Sequence, residues 1–406
     1  MINVLSICQD KIPSALIGII NPFERLTNHK DYSEKIQFQF KRSYEVTAFD
    51  IRDADILISI RGADPLELSI VKECKRLKKF IIYFLDDDLL NVPKEAECSI
   101  YFENELIRKS ISEIISLSDV LWTNNYNIAK KYKCENQRVF ISKIIFEPTS
   151  DLNYEAVKNI VYSKNNNSDV LEQKQPVRIG FAGGIDHSKF LDVIVGEAIE
   201  IIHTKYKNQV EFEFFGAKPN IAKKLSLKHF SYEKNYEEYI NKIKSRKWDF
   251  AIAPILETEF HKCKYYNKYL EYSSLGIAGI YTETEPFSFI INNRANGILV
   301  KNTTQDWVDA MEEMINDVQL RLRIIEASIN NIKEQFNENI VLMDIIENLP
   351  ELTYYNALKV TIDDVIEFPA RETSFFWSRV KTIFRNNGIK TPIYITKKII
   401  EKVKYL

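Results

Sequence analysis

Between Phe260 and Gly279 the chain reads FHKCKYYNKYLEYSSLGIAG, and Lys264, Lys268 and Glu271 are spaced i, i+4 and i+7. On a helix that spacing sets two ammonium groups and a carboxylate along one narrow face. Such a stripe can bind the hydroxyls of a sugar diol and neutralise a phosphate; it is also the pattern of a solvated ladder of i,i+4 pairs. Tyr265 to Ser274 contains neither Pro nor Gly, which predicts the helix, and Gly276 sits where a C-terminal cap belongs. Tyr265, Tyr269 and Tyr272 form a second stripe, read as core rather than as a sugar-stacking surface.

Two further groups of residues have the types that chemistry needs. After the apolar run VRIGFA, the turn contains Gly183, Gly184, His187 and Lys189. Glycines there let a phosphate approach the backbone, and the lysine or histidine supplies neutralising charge. The turn is not a G-x-G-x-x-G fingerprint. In the first half, Asp86, Asp87 and Asp88 end the apolar run FIIYFL, and Arg61 follows DILISI. Adjacent carboxylates repel and need water, a cation or hydrogen-bond donors. Asp86 and Asp88 also fit a D-x-D pair that holds a divalent cation against a diphosphate.

The elements that must position these residues alternate. Strands are expected at 2–7, 45–49, 55–60, 80–85, 119–123 and 138–142, with helices at 65–79 and 103–118. Residues 162–176 are polar and almost without core formers, and 166–176 are read as a linker. The pattern then restarts with strands at 177–182, 210–215, 249–254, 278–282 and 297–300. Helices are expected near 190–206, 236–246, 304–317 and 319–347. Alternation of this kind gives an α/β fold, with parallel sheets covered on both faces. The expected organisation is two Rossmann-like, doubly wound domains, 1–165 and 177–347, with a C-terminal helical extension at 348–406.

Composition narrows the function. A chain of 406 residues with 45% apolar side chains can bury two cores, and a net charge of −2 argues against a general attraction to nucleic acid. Five scattered cysteines and five histidines show no metal-ligand spacing, so a reduced, cytoplasmic protein with no bound metal is expected. No window has the run of about 18 apolar residues that crosses a bilayer. From Ser374 onward, eight Lys or Arg stand against one Glu among aromatic and aliphatic residues. That segment is expected either to pack on the first half or to touch an anionic membrane surface from the cytoplasmic side. G-x-S-x-G, P-loop and H-E-x-x-H motifs are absent from the sequence.

The donor-side stretch resembles a known family. FHKCKYYNKYLEYSSLGIAGIY is similar to the K-x-x-E helix and following small-residue turn of GT-B glycosyltransferases, in particular family-4-like enzymes of bacterial surface (capsular or O-antigen type) polysaccharide synthesis. NNRANGILVKN, VRIGFAGGIDHSKFLDVI and IIYFLDDDLLNVP resemble further segments of that family.

The resemblance implies two domains facing across a cleft and sugar transfer from a nucleotide-diphosphate sugar to a glycan or lipid-linked acceptor, without metal and with retention. It implies that Glu271 takes the ribose hydroxyls, with Gly183, Gly184, Lys264 and Lys268 around the rest of the donor. His187, Lys189 and Lys268 become the catalytic candidates that meet charge on the leaving diphosphate. Arg61, Asp86, Asp87 and Asp88 fall on the acceptor side. Cys263 departs from the pattern, since the family has a second Glu there. Two other readings follow from the residues: a metal-dependent GT-A-like transferase using Asp86 and Asp88, and a non-catalytic scaffold that binds nucleotide.

Overall fold

The computed structural model describes residues 1–96, 98–149 and 175–365, with isolated positions 155, 158 and 392. The chain forms two compact units, Met1–Ser142 with the described residues from Leu342 onward, and Lys143–Val341. Each is built on a six-stranded, wholly parallel sheet.

The first unit contains β1 (Ile2–Cys8), β2 (Ile36–Arg42), β3 (Ile56–Ile60), β4 (Phe80–Phe84), β5 (Val120–Thr123) and β6 (Arg138–Ile141), in the spatial order β2-β1-β3-β4-β5-β6. β3 is buried at every position and β4 at all but its first, as expected of strands covered on both faces. The edge strand β2, IQFQFKR, alternates buried or half-buried positions with exposed ones over its first half.

The second unit contains β7 (Val177–Gly183), β8 (Val210–Gly216), β9 (Lys228–Phe230), β10 (Phe250–Ala253), β11 (Ala278–Thr282) and β12 (Ile298–Val300). Their order, β12-β11-β10-β7-β8-β9, is that of the Rossmann fold. Its core joins Phe181, Ile199, Phe212, Ile252, Trp307 and Met311 across sheet and helices.

The expected fold class, two Rossmann-like α/β halves, is what the chain adopts. Two local expectations need correction. Residues 45–49 are not a strand: Thr47 accepts a hydrogen bond from the Asp50 N–H and Asp50 caps Thr47 in return, which starts a helix at Ala48–Asp53. The long helix expected at 319–347 is two, Val318–Gln335 and Glu338–Asn348.

The division between units falls at Ser142 and Lys143. Phe146 N–H donates to Phe336 and Thr149 N–H to Ser274, so this stretch runs with the second unit. The linker at 166–176 lies outside the described residues except for its last two. Past Leu349, Glu351 pairs with Arg138 at 2.8 Å and the Tyr355 ring meets Phe80 at 5.6 Å, both within the first unit. The basic segment from Ser374 lies outside the described residues apart from Pro392.

Candidate functional site

In a Rossmann sheet the ligand crevice lies beyond the carboxyl ends of the strands where their order reverses. In the second unit that point falls between β7 and β10. The turn after β7 brings Gly183, Gly184 and His187 there, and the loop after β10 leads to Lys264, Lys268 and Glu271. The root of that loop is clasped. Ile255 N–H donates to Thr282 Oγ1 at 3.0 Å, Asn302 Nδ2 donates to Ile255 O at 2.9 Å, and Thr282 Oγ1 donates to Asn302 Oδ1 at 2.9 Å. Three strand ends are thus tied where the loop departs.

The helix spans Asn267–Ser274 and closes with Gly276 in the left-handed region at φ 68°. Ile277 N–H donates to Tyr272 O and Gly276 N–H to Ser273 O, a Schellman cap that only a residue tolerant of positive φ completes cheaply. Tyr269 and Tyr272 are buried. Tyr272 OH donates to Ile252 O at 3.2 Å, and Asn296 Nδ2 reaches Tyr269 OH at 3.0 Å. This stripe is core, and it fixes the helix on the sheet.

The charged stripe is shorter than its spacing suggests. Lys264 precedes the helix, in a turn where its Nζ lies 4.4 Å from the Phe260 ring centroid. Lys268 and Glu271 do share a face, and they bond directly. Lys268 Nζ donates to Glu271 Oε2 at 2.7 Å and to Tyr239 OH at 3.0 Å, while Tyr239 OH donates to the same Oε2 at 3.0 Å. Glu271 is 6% exposed, and among the described residues Oε1 has no protein donor. Burial works against the Lys268 ammonium, but the Glu271 carboxylate outweighs it and the pKa is raised. Tyr239, from the helix Tyr236–Arg246, is the participant that the sequence did not single out. It stands 32 residues from Glu271, and only the fold brings them together.

The turn after β7 closes over the same region. A Cβ on Gly183 would meet His187 Nδ1 at 2.5 Å and the Phe181 ring at 2.8 Å, so the bare backbone is what seats this histidine. His187 packs on Phe190 at 4.8 Å, and Phe190 on His261 at 6.3 Å. Burial pushes the His187 pKa from 6.5 to about 4; Asp186 opposes this, and Lys268, Lys264 and His261 add to it. His187 is therefore neutral at pH 7 in a cationic setting, with Nδ1 buried and unpaired. Lys189 is exposed on the first turn of the following helix, and Gly184 precedes the short turn that carries His187. Cys263 is 3% exposed, while Glu257 and Glu259 are exposed and Glu259 pairs with Lys262 at 2.8 Å.

At the carboxyl edge of the first sheet, Arg61 follows β3 with φ 52°, a left-handed backbone unusual for a residue with a side chain. Its guanidinium lies 3.4 Å from both Asp86 and Asp87 and donates to Ser14 Oγ at 3.1 Å. Burial opposes the Arg61 charge, and the two carboxylates more than offset it. Asp88 is wholly buried. Its Oδ2 accepts from Lys131 at 2.6 Å, and Oδ1 accepts from Asn91 Nδ2 at 2.9 Å and from Tyr132 OH. Asp86 thus faces an arginine and Asp88 is saturated, so the two do not form an open D-x-D pair. Among the described residues no group of three or more His, Cys, Asp or Glu side chains is placed to hold a metal ion.

A cavity of about 600 Å³ opens at the opposite edge of this sheet, lined by Lys75, Phe80, Asp119, Gln137 and Arg138. Lys75 pairs there with Asp119 at 2.6 Å, and Arg138 with Glu351 at 2.8 Å.

Two Rossmann-like units in one chain, each on a parallel six-stranded sheet, are the architecture of the GT-B class of fold. Solved structures of that class are similar to this chain. Anabaena HepE in complex with UDP and glucose aligns with a TM-score of 0.59 at 12% identity, over 86% of this chain and 100% of that one. A glycosyltransferase from Rickettsia africae ESF-5 gives 0.55 at 14% identity, over 86% and 98%. The E. coli trehalose-6-phosphate protein bound with UDP-2-fluoro glucose gives 0.57 at 10% identity, over 87% and 99%. No family model and no curated protein matches the sequence. Among the described residues no helix is long and apolar enough to cross a membrane.

Proposed function

We propose that the protein is a glycosyltransferase that moves a sugar from a nucleotide-diphosphate sugar to a glycan or lipid-linked acceptor in bacterial surface polysaccharide synthesis. The observation that carries this reading is Glu271, a buried carboxylate at the switch point with one oxygen lacking a donor and a cluster of cationic or protonatable groups beside it. A ribose hydroxyl satisfies such an oxygen, and Lys264, Lys189 and the Gly183–Gly184 turn take the diphosphate. Charge growing on the leaving diphosphate is met by Lys268 and His187, so transfer proceeds without metal and, by likeness to the family, with retention.

Arg61, Asp86 and Asp87 serve the acceptor, with Asp88 bracing them. The protein works in the cytoplasm. The fold supports the donor part of this reading, because two solved structures of the same fold hold UDP or a UDP-sugar analogue.

One observation favours the non-catalytic alternative: where the resemblance places a second Glu, Cys263 is buried. Calorimetric titration of UDP, GDP and dTDP, first in EDTA and then with Mn2+, tests both. Binding of one nucleotide in EDTA together with turnover of the matching sugar donor is expected. Binding without turnover supports the scaffold reading, and binding only with Mn2+ overturns the metal-free mechanism.

A further inference from the structure

The Glu271 carboxylate is held from one side. A carboxylate oxygen has two lone-pair positions, and those of Oε2 are filled by Lys268 Nζ at 2.7 Å and Tyr239 OH at 3.0 Å. The Lys268 Nζ to Tyr239 OH contact at 3.0 Å closes the three groups into a ring. Tyr239 is itself immobilised. Its side chain is 8% exposed, its ring meets Phe215 edge-on at 5.7 Å and Tyr236 at 5.9 Å, and its helix is capped by Asn235, which accepts from Glu238 N–H at 3.0 Å. Burial and then Glu271 raise the phenol pKa well above its ordinary value, so the hydroxyl keeps its proton and donates.

We propose that Tyr239 is a positioning residue that, with Lys268, fixes the plane of the Glu271 carboxylate and leaves only Oε1 for ligand, making the site select a ribonucleoside diphosphate over its 2′-deoxy counterpart. The proposal rests on the donor-site reading above. A site that presents a fixed acceptor to a hydroxyl rejects the analogue lacking it, because the acceptor is left unpaired. A carboxylate free to rotate can turn its second oxygen to the remaining 3′-hydroxyl and recover part of that loss. The phenol removes this freedom, at a distance of one hydrogen bond from the ligand.

The test is the affinity ratio for UDP and 2′-deoxy-UDP, or for GDP and 2′-deoxy-GDP if guanine proves to be the base, in the full-length wild type and in Tyr239→Phe. The wild type is expected to favour the ribonucleotide about ten-fold. Tyr239→Phe should bind the ribonucleotide several-fold more weakly, with the ratio reduced to about three or less, while its melting curve stays cooperative. A ratio near one in the wild type overturns the proposal. So does a Tyr239→Phe protein that loses affinity for both nucleotides equally, since that is the signature of packing alone. Lys268→Met opens the other lone pair of Oε2 and should relax the ratio in the same direction; full discrimination in that variant also counts against the idea. Failure of the wild type to bind any nucleoside diphosphate overturns the donor site, and the role of Tyr239 with it.

Discussion

The carboxyl edges of the two sheets each carry a buried carboxylate ringed by a lysine and a tyrosine, and they differ in how completely it is satisfied. Asp88 in the first unit accepts from Lys131, Tyr132 and Asn91 through both oxygens. Glu271 in the second unit accepts from Lys268 and Tyr239 through one. A saturated carboxylate is a brace, since its donors already repay its desolvation. One with an oxygen left over still has bonding to do. Comparable burial and similar neighbours therefore do not imply equal roles.

That contrast breaks most sharply at Glu271. Glu271→Gln keeps the shape but donates where it should accept, and nucleotide affinity is expected to fall by about a hundred-fold, read by calorimetry. Undiminished affinity would remove Glu271 from the site. Asp88→Ala should do the converse. Losing its charge-assisted bonds is expected to destabilise the first unit by roughly 2–3 kcal/mol in denaturant unfolding, with nucleotide affinity unchanged. If affinity falls instead and stability holds, the two carboxylates have been assigned the wrong way round.

The smallest effect is at His187. Unfolded, its imidazole takes up a proton below about pH 6.5; folded, it does so only near pH 4. The unfolded chain binds more protons across that window, so stability contributed by the neutral ring is present above it and lost as pH falls through it. Thermal melts of His187→Gln between pH 7.5 and 4 should decline less steeply than those of the wild type.

Much of the fold was legible because fully buried parallel strands are unmistakable: β3, β4, β7, β10 and β11 are short apolar runs between helical patterns. The edge strand β2 was not. IQFQFKR buries one residue fully and leaves the rest half-buried or exposed, while EVTAF, rich in strand formers, opens the Thr47–Asp50 capping box that turns it into a helix start.

At the site, Gly276 was readable from chemistry that is local to the turn. The placement of Lys264 was not, because the helix begins only at Asn267 and periodicity says nothing before a helix starts. Tyr239 was beyond reach for a different reason. Its partner lies 32 residues away, and no pattern within one element encodes a bond between two.

The clasp of Ile255, Thr282 and Asn302 has a consequence for how such a protein diversifies. Because Ile255, just past β10, is bonded to Thr282 of β11 and to Asn302 beyond β12, the root of the loop is held by its neighbours and not by the residues that follow it. Substitution of the exposed Glu257 leaves that root in place, whereas Leu256 and Cys263 stay committed to the interior.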